Sequence, residues 1–238
     1  PSLYNRSMSM STNPGIACLG GTLAHLRLRA PRVAGGLLFA AGIVALMGII
    51  TAETLYPDYS TSDNMISDLG ATEPPNSVIE QPSSIIFSGS MVVTGLLVLA
   101  STYYVQLTLK ARVFTIPLGL FGLGVLGVGV FNGSWGGIHA IFAMTTFVSG
   151  AVAAIISWKV LAAPMRHLSA ALGLISLVTL IQYFVLGDSS PMLEMGEGGV
   201  ERWIAYPVLV WVIGLGGFLM GVPQGPLGDS AAKEAERA

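Results

Sequence analysis

Apolar residues in this chain come in long unbroken blocks, separated by shorter polar stretches. A helix needs about 20 apolar residues to cross ~30 Å of hydrocarbon, because lipid offers no partner for exposed backbone N–H and C=O groups. Six blocks reach that length: Val33 to Ala52, Ile85 to Leu109, Val113 to Phe131, Ile138 to Trp158, Leu168 to Gly187 and Trp203 to Val222. None carries a charged side chain in its interior, so the pattern predicts an all-α fold, a six-transmembrane-helix bundle.

The flanks of the blocks set an orientation, since Lys and Arg in short loops stay on the cytoplasmic side. Arg6, Arg27, Arg29 and Arg32 precede the first block, Lys110 and Arg112 join the second to the third, Lys159 and Arg166 the fourth to the fifth, and Lys233 and Arg237 follow the sixth. Only Arg202 lies on the other side, where Asp58, Asp63, Asp68, Glu73, Glu80, Asp188, Glu194, Glu197 and Glu201 also sit. Both termini are therefore expected in the cytoplasm of a multi-pass cell-membrane protein. The expected organisation is a cytoplasmic arm over 1–30 with an interfacial turn around Leu19 to Leu28, a membrane domain over 31–222, and a cytoplasmic tail over 223–238.

Composition agrees with this and removes several classes of function. Of 238 residues, 53% are apolar and 10% charged, against about 25% charged in an ordinary soluble domain, which rules out a water-soluble enzyme. A net charge of −2 leaves no basic surface for nucleic acid. Cys18 is alone, so an internal disulfide and a Cys/His structural zinc are both out of reach.

In lipid, helices associate by close backbone approach, so small residues mark contact faces. The third block is densest in them, with Gly129/Gly133 and Gly133/Gly137 at the spacing of small pairs, and is expected at the bundle centre. Gly36/Ala40 and Gly217/Gly221 offer similar faces on the first and sixth.

The external loop over 55–84, between the first and second blocks, is too long to be structureless. Ser60 to Gly70 reads as a short helix, with Thr61 or Ser62 at its start, Met65, Ile66 and Leu69 on one face, Asn64, Ser67 and Asp68 on the other, and Gly70 at its end. Tyr59-Ser60, then Asn64-Met65-Ile66-Ser67-Asp68-Leu69-Gly70, a His opening the fourth block and Glu201-Arg202 ahead of the sixth resemble the prokaryotic integral-membrane family catalogued as domain of unknown function 998. The similarity covers roughly Pro31 to Val222. It implies a six-span membrane protein of unassigned activity; the loop cysteines often found in that family have no counterpart in Glu73 to Ser84.

Candidate chemistry gathers at the external ends. His139 is the only histidine there, because His25 and His167 lie ~30 Å away at the cytoplasmic ends. A three-His zinc site and a bis-His haem are thereby excluded, whereas one His with two carboxylates stays open. No cofactor and no metal are expected. Glu201 suits a helix N-terminus, and Arg202, alone among acids, is expected to pair with Asp68, Asp188 or Glu201, or else to hold an anionic headgroup. Glu53 is expected to reach out to water. Within the spans only the amides Gln106, Asn132 and Gln182 accompany scattered hydroxyls, which weakens coupled transport.

Three functions follow. The favoured one is a membrane component that binds lipid or a membrane-protein partner, including a second copy of itself, through Asn64, Ser67, Asp68, His139, Asp188, Glu201 and Arg202. The second is an outward-facing hydrolase or transferase acting on lipid, with Asp68 or Glu201 as general base and His139 as acid/base or metal ligand. The third is an uncoupled small-solute transporter or channel.

Overall fold

The computed structural model describes residues 14–221, with side chains from Arg29 onward. Much of the expected arm, and the tail over 223–238, lie outside the described residues. Six long helices carry the chain: α1 Pro14–Leu55, α2 Ser83–Leu109, α3 Arg112–Val130, α4 Gly137–Val160, α5 Met165–Leu186 and α6 Gly196–Met220. All six are long and apolar enough to cross a membrane, and no strand occurs among the described residues. The chain is a multi-pass membrane protein.

Each expected block coincides with one helix, three of them (Val113 to Phe131, Leu168 to Gly187 and Trp203 to Val222) running one or two residues past its end, and two helices start well ahead of their blocks. Helix α1 starts at Pro14 and passes Pro31 without interruption, with no turn between Leu19 and Leu28. Helix α6 begins at Gly196, two turns ahead of the apolar block, so Glu197, Glu201 and Arg202 are helical.

Consecutive helices are neighbours, including α1 and α2 despite the long loop between them, and α6 closes on α1, so the bundle is a ring. A ring has no central helix, and the expectation that the third block occupies the centre is corrected to this extent: α3 is one of six wall members, although the most buried of them. On the inner side of α5, its two neighbours α4 and α6 touch only sparingly. The core along the axis includes Leu38, Ala41, Leu118, Trp211 and Leu215, all fully buried.

Backbones approach closely where glycine permits. A Cβ on Gly35 would stand 2.5 Å from the Gly216 carbonyl oxygen, and one on Gly216 2.5 Å from the Phe39 nitrogen. Gly36 and Gly217 have nothing within 4 Å. The small faces expected at Gly36/Ala40 and Gly217/Gly221 are thus displaced by one residue, because the α1–α6 crossing puts Gly35 and Gly216 at the contact. Between α2 and α3, Gly95 lies against Leu126 and Gly129 against Ser88 and Val92 in the same manner.

The long loop folds down onto one end of the ring, hereafter the loop end. Ser60 to Gly70 is a turn followed by one turn of 3-10 helix over Ser67–Leu69, in place of the expected single helix. Its local polar side chains explain the difference, since they bond loop backbone and compete with helical pairing. Ser60 Oγ donates to Asp63, Asn64 accepts from the Ser60 N–H at 2.9 Å, and Asp68 accepts from the Met65 N–H at 2.9 Å. Ile66 and Leu69 point into the bundle and are buried. Ser84 Oγ, from the first turn of α2, donates to the Gly70 carbonyl at 2.5 Å and ties the far side of the loop down.

Candidate functional site at the loop end

The first turn of α6 is where the loop docks. Helix N-termini leave backbone N–H groups without intrahelical partners; here the Ser62 carbonyl accepts from Gly198 N at 2.9 Å and from Gly199 N at 3.3 Å, and Ser62 Oγ donates back to the Met195 carbonyl at 2.8 Å. Glycine makes this possible, because a Cβ on Gly196 or Gly198 would collide with the carbonyls of Ser62 and Asn64. The glycines that resemble helix breakers in the sequence are the seat of the loop.

Glu201 and Arg202 follow one turn later and divide the work. A Glu201 carboxylate oxygen accepts from the Ile66 N–H, at the entrance to the 3-10 turn. Arg202 Nη1 donates to the carbonyls of Thr61 at 2.8 Å, Asn64 at 3.1 Å and Gly198 at 2.8 Å. Its Nη2 reaches Glu53 at 2.6 Å and the Tyr59 hydroxyl at 2.8 Å, and the guanidinium lies over the Tyr59 ring. Tyr59 in turn donates to the Met65 carbonyl at 2.8 Å. With this many neighbours the Tyr59 hydroxyl is held well above the ordinary phenol range, burial being the main cause, opposed by its hydrogen bond to Arg202.

Three expectations are corrected by this geometry. Arg202 pairs with Glu53 of α1, not with Asp68, Asp188 or Glu201, because closure of the ring brings the end of α1 against α6. Glu53 accordingly does not reach out to water. Nor is Arg202 placed to hold an anionic headgroup, since both terminal nitrogens are spent on the protein.

The remaining candidates separate. Asp188 is exposed in the 3-10 turn Gly187–Ser189 and joins no other candidate. Asn64 and Asp68 serve the loop's own turn. The Asp68 carboxyl is pushed up by burial, offset by the Met65 N–H and helped by the nearby Glu73 and Glu197 carboxylates. Ser67, His139 and Glu201 come together, on the wall of a cavity of about 370 Å³.

This cavity occupies the gap between α4 and α6 that the ring leaves open, flanked by α5 and roofed by the loop. Ser67, Glu73, His139, Tyr183, Glu197 and Glu201 supply its polar wall; Ala143, Met144, Phe147, Leu180 and Ile204 supply the apolar one. From His139 to Phe147 is eight residues along α4, about 12 Å at 1.5 Å per residue. Polar groups sit at the loop end and apolar ones deeper, so the cavity has the polarity gradient of one membrane leaflet. A smaller cavity shares Ser67, His139, Ala143, Phe147 and Glu201 with it. Glu73, Glu197 and Tyr183 were missed in the sequence; nothing local marks them, since only the docked loop and the extended α6 bring them to α4. The amides Gln106 and Asn132 lie elsewhere, bonded to Thr115 and Ser134 at 2.6 Å each.

A family model described as "Protein of unknown function (DUF998)" matches residues 15–217. The match covers most of the chain, which belongs to that family. No curated protein and no solved structure matches it.

Proposed function

For this member of a family of unknown function, we propose a role as a cell-membrane protein that binds a single-chain amphiphile, or one chain of a lipid, in the cavity between α4, α5 and α6. The observation that carries the reading is the order of groups along that cavity: Glu73, Glu197, Glu201 and His139 at the loop end, then Met144, Phe147, Leu180 and Ile204 about one to two turns deeper. Its 370 Å³ falls within the roughly 300–1,000 Å³ of small-molecule sites. By the count of basic residues in the sequence, the loop end faces away from the cytoplasm, so the ligand enters from the outer leaflet.

The lipid hydrolase or transferase calls for Asp68 or Glu201 as a free general base converging on His139; Glu201 does share a wall with His139, but its carboxylate accepts from the Ile66 N–H, and Asp68 is engaged with the Met65 N–H. Binding requires no such convergence. Native mass spectrometry of the purified protein tests the reading: the wild type retains one amphiphile through detergent exchange, and Ala143→Trp or Leu180→Trp, which fill the cavity, reduce retention by about tenfold. Equal retention in wild type and both filled variants contradicts it.

A further inference from the structure

One polar atom at this cavity is buried without a partner. His139 is 3% exposed, and its Nδ1 lies 2.7 Å from the Phe131 carbonyl oxygen. A carbonyl only accepts, so Nδ1 carries the hydrogen, and in the neutral ring Nε2 is left with a bare lone pair. That Nε2 is buried and has no hydrogen-bond partner among the described residues. Leaving an acceptor unpaired in this way is unfavourable. His139 stands on the wall of this cavity and of the smaller one beside it, next to Ser67 and Glu201.

The charged groups on the wall share one sign. Glu73, Glu197 and Glu201 line the cavity, and no Lys or Arg does. Arg202, on the neighbouring position of α6, has its guanidinium committed to Glu53, Tyr59 and loop carbonyls. The acids also do not converge on a point: among the described residues, no three His, Cys, Asp or Glu stand close enough to hold a metal ion. One buried acceptor with separated carboxylates around it suits a positively charged group with several divergent N–H donors. A phosphate, sulfate or carboxylate head would meet like charge.

We propose that the cavity selects amphiphiles with an ammonium headgroup, which donates one N–H to His139 Nε2 and is balanced by Glu201 and the rim carboxylates of Glu73 and Glu197. The selectivity rests on the amphiphile reading above, and the two fail differently. Dodecylamine, dodecanol and dodecanoate compete against a photoactivatable dodecanol for the protein in uncharged maltoside micelles. The amine displaces the label at a concentration at least about tenfold lower than the alcohol does, and dodecanoate is the weakest of the three. Glu73→Gln with Glu197→Gln, both exposed and holding no loop bond, removes the amine's advantage over the alcohol. His139→Phe weakens amine and alcohol alike; the double carboxamide variant carries the test if that protein does not fold. Dodecanoate matching the amine in the wild type, or an amine advantage intact in the double variant, overturns the headgroup assignment while the amphiphile site stands. Failure of all three competitors and of the label to enter the cavity overturns both.

Discussion

Arg202 of α6 and Glu53 of α1 meet at 2.6 Å across the closing seam of the helix ring. Their side chains are 11% and 16% exposed, so the pair is shielded from water, and removing one member strands the other. Arg202→Ala is expected to destabilise the protein by about 3–5 kcal/mol, the usual cost of an orphaned buried charge. Arg202→Lys keeps the charge but loses the fork that serves the loop carbonyls, and is expected to cost about 1–3 kcal/mol. Thermal unfolding in detergent measures both, and limited proteolysis between Tyr56 and Pro82 reports release of the loop.

Glu201 separates acceptor from charge. Glu201→Gln retains an oxygen for the Ile66 N–H and is expected to change stability little, whereas Glu201→Ala leaves that amide unpaired at about 1–3 kcal/mol. Hydrogen exchange at Ile66 should accelerate in the alanine variant alone.

Adjacent glycines on α1 give a sharper contrast. Gly35→Ala places a methyl 2.5 Å from the Gly216 carbonyl oxygen and must part α1 from α6, a loss of about 1–3 kcal/mol. Gly36→Ala meets nothing within 4 Å and should be neutral or stabilising by up to about 1 kcal/mol through helix propensity. Unfolding midpoints of the two single variants decide it.

Asp68 gives the loop a pH dependence. Its carboxyl is raised above the ordinary value chiefly by burial, so the folded loop binds the proton more tightly than the unfolded chain does. The contribution to stability is complete below the unfolded pKa, near 4, and is lost as pH rises through the raised folded value. Asp68→Asn, still able to accept from Met65 N–H, removes this part of the slope. Melting temperatures of wild type and variant across that range provide the measurement.

The six spans are legible in the sequence because each is an uncharged block of membrane length, and lipid leaves such a block no alternative to the helix. The start of α6 is not. Glu197, Glu201 and Arg202 carry charge, and Gly196, Gly198 and Gly199 look like breakers until the carbonyls of Ser62 and Asn64 are seen resting on them. The partner of Arg202 was hidden for a related reason. Glu53 is the only acid in α1 and Arg202 the only base at the loop end, a signal present in the sequence, but pairing them needs the closure of the ring. His139, Ser67 and Glu201 could be nominated singly by residue type and position. Their convergence on one cavity depends on the gap between α4 and α6, which no local pattern encodes.

The location of a bound chain tests the central claim most directly. After irradiation of the reconstituted protein with a diazirine-bearing amphiphile, adducts mapped by peptide mass spectrometry should concentrate on Phe147, Leu180 and Ile204, which line the cavity. Adducts confined to the bilayer-facing Ile141, Val178 and Val185, which are 66%, 57% and 74% exposed, would contradict it.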